Sequence, residues 1–151
     1  MSERISFIRL PMLLLGLFFV GKLLVGAFGG SYELGNRLFA MVPLTVHLCL
    51  IWGAVGKAYR GFGAGGAAVN GALIALFAQL LIFLGTMASY LLGVDTHFNH
   101  PVAIVGQDVE VTLGQAFSAR LTGLVVNTII GAVFALIGHI LGFLLPRNGG
   151  R

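Results

Sequence analysis

The sequence predicts an all-α integral membrane protein, a bundle of four transmembrane helices with a short extracytoplasmic β-hairpin-like loop between the third and fourth helices. Only 9% of its 151 residues are charged, and 58% are hydrophobic. A soluble domain carries about 25% charged residues, so this chain has too few charges to cover a water-exposed surface. The mean hydropathy of +0.99 agrees. We therefore treat residues 1–151 as one transmembrane domain.

Four apolar segments supply the spans. They lie at 7–28, 38–55, 67–93 and 121–145, and we expect helices at about 7–28, 38–57, 67–93 and 113–145. About 20 residues cross a hydrocarbon core, and the backbone must bond internally there, which makes each span helical. The first segment also resembles a signal peptide with a small-residue cleavage site, but Lys22 interrupts that pattern and favours a retained helix.

Basic residues in the short connections predict the orientation. Six lie on one side: Arg4, Arg9, Lys57, Arg60, Arg147 and Arg151. Three lie on the other: Lys22, Arg37 and Arg120. The positive-inside rule then places both termini in the cytoplasm, and the composition favours a bacterial inner membrane. The pI near 9.9 reflects these helix-end residues facing the lipid bilayer, so no nucleic-acid partner is expected.

The connections have their own patterns. Short apolar runs flank the turn at 105–108, which predicts a small hairpin in the 94–113 loop. Thr112 and Gln115 have capping-box spacing, so the fourth helix is expected to begin near Leu113. The glycines at 61–66 have the spacing of a dinucleotide-binding motif, but a transmembrane segment replaces the required strand, which indicates a flexible turn.

Small residues recur on one side of the third and fourth helices. Membrane helices associate through such positions because lipid is as apolar as the helices themselves. We therefore predict that these stripes are contact faces, against each other or against a partner. The stripe of the third helix comprises Ala68, Gly71, Ala75 and Ala78 and continues through Gly85, Thr86 and Ser89; that of the fourth comprises Asn127, Gly131, Ala135, Gly138 and Gly142.

His47, at the centre of the second segment, is the candidate polar contact. It follows Pro43, which removes a hydrogen bond from the helix. We expect His47 to face the bundle interior and bond across it, with Gln79 at the better depth and Asn127 as the other partner. The alternative is an axial ligand of haem or a pigment. No cofactor is predicted, because His139 lies too far along the membrane normal for a bis-histidine site.

The loop of the third connection offers a candidate metal site. Asp95, His97 and His100 are residue types that bind zinc or copper. A structural zinc takes four ligands and only three are evident, so a polar loop anchored at Phe98 is the favoured interpretation. Lys22 has two open interpretations, extension of its ammonium to the interface and a functional pairing.

The sequence contains no candidate catalytic residues. Ser89 and Ser118 have no histidine at motif spacing, and no carboxylate lies at mid-depth to couple transport to protons. The leading hypothesis is therefore a non-enzymatic accessory, structural or assembly subunit that packs against a membrane partner or itself. Two alternatives stay open, a cofactor-binding redox subunit and a small oligomeric transporter or channel.

The orientation can be tested by cysteine labelling. In a Cys49→Ser background, a cysteine at position Gln107 should react with a membrane-impermeant reagent on intact cells, because the loop is predicted to lie outside. Protection of that cysteine until the membrane is permeabilised would reverse the orientation.

Overall fold

The computed structural model describes residues 2–146, and its secondary structure is entirely helical within that range. The elements are α1 (Ser2–Ala27), α2 (Tyr32–Leu38), α3 (Met41–Arg60), α4 (Ala64–Leu92), α5 (Pro101–Val105) and α6 (Leu113–Leu141), followed by a 3₁₀ turn, Gly142–Leu144. The described residues contain four segments long and apolar enough to cross a membrane: Ile5–Ala27, Tyr32–Arg60, Ala64–Leu92 and Leu113–Leu144. The predicted all-α chain with four spans is confirmed.

The four long helices have unequal positions. The helix α4 is central and packs against α1, α3 and α6, whereas α1 and α6 each pack against α3 and α4. Within residues 2–146, α1 and α6 do not contact each other. The outer faces of these two flanking helices present large apolar side chains, as expected of surfaces that meet lipid. Examples on α1 are Leu13 and Leu17, and on α6 Val125, Ile129 and Val133.

The predicted hairpin is wrong. Residues Pro101–Val105 form the short helix α5, and residues 106–109 bend without pairing as strands. Pro101 occupies the first turn, where its fixed φ favours a helix start, and Gly106 ends the helix with a φ of +75°. Carbonyls that a hairpin would pair instead accept side-chain donors: Tyr90 Oη binds the Val111 oxygen at 2.7 Å. The apolar runs therefore dock on the bundle instead of on each other.

The predicted starts of two helices, α6 and α3, can be compared with the structure. The predicted capping box of Thr112 and Gln115 is present, and α6 begins at Leu113 as expected. The helix predicted at about 38–57 is α3, which begins at Met41, and a separate short helix that was not predicted, α2, precedes it and ends at Leu38. Pro43 consequently lies in the first turn of α3, where its missing N–H costs no helical hydrogen bond.

The small residues of α4 and α6 lie where the two helices meet. A Cβ added to Gly71 would overlap the carbonyl of Gly131, and one added to Gly131 would overlap the methyl of Ala75. The fit extends to α3, since a Cβ on Gly138 would overlap the Leu50 carbonyl. Contacts between backbones are possible only because these positions have no side chain. Ala135 completes the same interface and is 1% exposed.

A proline and a tryptophan connect α1 to α3. Pro11 lies inside α1 and has no N–H to offer the carbonyl of Phe7, four residues earlier. Trp52 of α3 supplies the replacement, because its Nε1 donates to the Phe7 oxygen at 2.7 Å. The two rings also pack, with centroids 6.2 Å apart. A buried carbonyl is thereby satisfied, and α1 is held against α3.

The close packing of α4 on α6 predicts a contrast between two glycines. Gly131→Ala should lower the free energy of unfolding in mild detergent by about 1–3 kcal/mol, because the added methyl overpacks the interface. Gly16→Ala is the matched control: it lies mid-helix in α1 with no atom within 4 Å of the new Cβ. That variant should be neutral or slightly stabilising. Equal behaviour of the two variants would contradict the packing.

Candidate functional site

One end of the bundle is covered by α2, by residues 93–100 and by α5, which together we call the cap. Beneath the cap lies a cavity of about 180 Å³. Lys22 of α1 and Arg120 of α6 both line it, with Met41 and Ile82 in its walls. Since α1 and α6 do not touch, the cavity occupies the gap between them. Each flanking helix therefore contributes one cation to the same space.

Lys22 lies under the cap and is only 7% exposed. Its Nζ donates one long hydrogen bond, 3.3 Å, to Asn36 Oδ1 of α2. The ammonium also lies 5.5 Å from the Tyr32 ring centroid and 5.7 Å from that of Phe98, which is within cation–π range. An ammonium has three N–H donors, so two of them make no hydrogen bond to residues 2–146.

Arg120 holds the cap to the bundle through three hydrogen bonds. Its Nη2 donates to the Phe98 carbonyl at 2.8 Å, and its Nη1 donates to the Ala103 carbonyl at 3.0 Å. Its Nε donates to Thr86 Oγ1 of α4 at 2.9 Å. A guanidinium has five N–H donors, so two remain beyond these bonds. Arg120 is thus both a structural anchor and a cation of the cavity wall.

The positive charge of this cavity has no acidic counterpart in the described part of the chain. The acidic side chains of residues 5–146 are Glu33, Asp95, Asp108 and Glu110, and all four are exposed. None of them lines the cavity. Removing a cation from water costs several kcal/mol unless a partner compensates it, and two cations in one small space also repel each other. The arrangement attracts an anion.

The candidate metal ligands do not assemble. His97 Nε2 lies 2.9 Å from the Gly30 carbonyl, and its ring is wedged between Gly26 of α1 and Gly35 of α2. His100 stacks on the Tyr32 ring at 4.2 Å. The exposed Asp95 joins neither, and residues 2–146 contain no cluster of three or more His, Cys, Asp or Glu able to hold a metal. The two histidines are packing elements of the cap, so the metal-site hypothesis is corrected.

No family model, curated protein or solved structure matches this chain. Its site is therefore interpreted from geometry and charge alone. The cavity presents N–H donors and aromatic walls. No Ser, Cys, Asp or Glu lines it within residues 2–146, so the described wall contains no nucleophile of those types and no carboxylate base.

His47 does not face the bundle interior, and the predicted bond to Gln79 is absent. The buried positions of α3 include Thr45, Leu48 and Cys49, whereas His47 lies on the opposite, exposed side. Its Nδ1 lies 2.7 Å from the Pro43 carbonyl of its own helix. A carbonyl only accepts, so Nδ1 donates this bond, and in a neutral imidazole Nε2 then has a lone pair and no proton.

Gln79 and Asn127 lie near each other instead. Gln79 is 5% exposed, and its Nε2 has no hydrogen-bond partner within residues 2–146. A Cβ on Gly123 would lie 3.8 Å from Gln79 Oε1 and 3.6 Å from Asn127 Nδ2, so both amides border one small space between α4 and α6. No hydrogen bond links the two amides within residues 2–146.

The contacts of Arg120 with the cap were not predicted from the sequence, where this residue only indicated the orientation. The signal was present, because the capping box starts α6 at Leu113 and places Arg120 two turns inside a membrane helix. A charge at that depth indicates a functional or structural partner. Asn36 had no comparable signal, since the separate helix α2 was not predicted.

Proposed function

We propose that this chain is a non-enzymatic membrane protein that binds an anionic group, a phosphate or a carboxylate, in the cavity beneath the cap. The observation that carries the proposal is that Lys22 and Arg120 line one cavity whose described wall contains no acidic residue. Together they have about four N–H donors not bonded to protein. Phosphate and carboxylate oxygens accept such donors strongly because the bonds are charge-assisted.

The cavity volume limits the ligand. At about 30 Å³ per water molecule, 180 Å³ holds roughly six waters. That space suits one phosphate or carboxylate group with a few waters, and it is smaller than the 300–1,000 Å³ typical of sites that enclose a whole drug-sized ligand. We infer that only the charged group of the ligand enters.

The orientation of the chain sets the side from which the ligand comes. The excess of Lys and Arg on the Arg60 side supports a cytoplasmic location for that end. On this basis the protein lies in a bacterial inner membrane with its cap on the outer side, and it samples anions at the outer leaflet.

Inorganic phosphate is the probe for this proposal. It should raise the melting temperature of the wild-type protein in mild detergent more than chloride at equal ionic strength, because a ligand of the folded state stabilises it. Lys22→Met should lose this increment. The same variant should be at least as stable as wild type without phosphate, since an apolar side chain replaces an uncompensated cation.

Lys57→Met is the matched control, because Lys57 lies at the opposite end of the bundle with its Nζ over the Phe143 ring. It should retain the full response to phosphate. A response that survives in Lys22→Met, or that disappears equally in Lys57→Met, would show that the cavity does not bind the anion.

A second candidate function is that of an accessory or assembly subunit, and the exposed His47 favours it. His47 lies 13 residues before Arg60, about 20 Å along α3, and so about two-thirds of the way across a hydrocarbon core of about 30 Å. Acyl chains offer no donor to its bare Nε2, and an unsatisfied polar atom in hydrocarbon is costly. A partner helix with a hydroxyl or N–H at that depth would satisfy it.

Native purification tests this second function. A membrane partner that co-purifies with wild type should be lost or reduced in His47→Leu and retained in Val126→Leu, a control on the exposed face of α6. A porphyrin absorbance that disappears in His47→Leu would instead assign Nε2 to a metal, as in histidines whose Nδ1 is held by a carbonyl. Equal recovery of the partner from both variants would contradict the subunit role of His47.

A further inference from the structure

We infer that the anionic group is the phosphate of a phospholipid, which enters the cavity sideways from the bilayer. This inference rests on the proposed anion site and identifies its ligand. Three observations support it: the direction in which the cavity opens, the depth of that opening, and the aromatic packing of the cap above it.

The opening lies on the side of the bundle. Three lining residues from the cap, Tyr32, His97 and Phe98, are half-buried or buried. Four lining residues are exposed: Asn36 of α2, Val42 and Pro43 of α3, and Val102 of α5. The mouth of the cavity is therefore bordered mainly by apolar side chains. In a helix bundle surrounded by lipid, such apolar exposed borders are suited to contact with acyl chains.

The depth of the mouth matches the level of lipid phosphates. Pro43 is 17 residues before Arg60, which marks the opposite end of the same span, and this corresponds to about 25 Å along the helix. A hydrocarbon core is about 30 Å thick, so the mouth lies just inside its boundary. A lipid phosphate needs to move inward by only a few ångströms to reach Lys22. Its acyl chains stay in the bilayer beside Val42.

Aromatic packing covers much of the cavity on the side of the cap. The Tyr32 ring stacks on His100 with 9° between the planes, and Phe98 packs on Phe19 of α1 at 4.9 Å. His97 is wedged between α1 and α2 beside them. The cap is also held down by Arg120, whose three hydrogen bonds are described above. Lateral entry requires none of these contacts to break.

The two cations also select among lipids. Both headgroups have one negatively charged phosphate. Phosphatidylglycerol adds no other charge, whereas phosphatidylcholine also has a quaternary ammonium, which would be a third cation next to Lys22 and Arg120. Like charges at short distance in a site of low dielectric repel strongly. Phosphatidylglycerol should therefore bind more tightly than phosphatidylcholine of the same acyl chains.

The experiment compares lipid and soluble phosphate on the same delipidated protein. Native mass spectrometry in detergent should show phosphatidylglycerol bound at least about tenfold more tightly than phosphatidylcholine, and Lys22→Met should remove that preference. Val42→Trp should weaken phosphatidylglycerol binding by about tenfold or more, because the indole takes the place of the acyl chains beside the mouth, while inorganic phosphate, which has no acyl chains, still raises its melting temperature. Leu84→Trp, on the exposed face of α4, is the control and should change neither.

The outcomes separate the two proposals. Phosphate binding that depends on Lys22, together with phosphatidylglycerol binding that ignores both Lys22 and Val42, would overturn the lipid assignment and leave the anion site intact. Absence of any Lys22-dependent binding of phosphate or lipid would overturn both. Loss of soluble phosphate binding in Val42→Trp would show that the mouth serves a water-borne anion, and the lateral route would be wrong.

Discussion

Close approach of helix backbones is the constraint on which this bundle depends. Lipid surrounds the helices with a solvent as apolar as their own side chains, so burial of leucines gives little drive to associate. The α3, α4 and α6 helices gain contact instead by removing side chains where they cross, at Gly71, Gly131 and Gly138. Helix α1 has no such crossing and relies on the Trp52 bond to the carbonyl that Pro11 leaves free. The flanking helices are thereby fixed on two sides of the α3/α4 pair.

The gap between the flanking helices is the origin of the cavity. Because α1 and α6 stay apart, Lys22 and Arg120 approach one space without meeting each other's backbone. The cap then covers that space. Arg120 donates hydrogen bonds to two carbonyls of the cap, and its positive charge lies in the wall of the cavity. The exposed positions of Glu33 and Asp95 leave the cavity without an acidic partner, and the proposed anion binding is based on this observation.

Local patterns were reliable predictors where a single physical rule decided the result. Hydropathy located the four spans, since only a helix satisfies its backbone in hydrocarbon. The Thr112 capping box located the start of α6 within one residue. Periodicity also grouped the small residues of α4 and α6 on faces that the structure brings together. The hairpin prediction failed because apolar runs around a glycine are equally compatible with a short helix when the bundle offers partners for their carbonyls.

The sequence by itself therefore determined that this chain is helical and that it has four segments long and apolar enough to cross a membrane. It also determined which helix faces carry small residues. Only the tertiary structure decided how the polar residues are used. A one-dimensional pattern gives the depth of a residue but not its direction around the helix relative to neighbours. Hence His47 was expected inside the bundle and lies on its outside. Lys22 and Arg120, which are far apart in the sequence, line the same cavity. Their meeting depends on which helices touch and which stay apart, and that is fixed by packing among residues far apart in the chain.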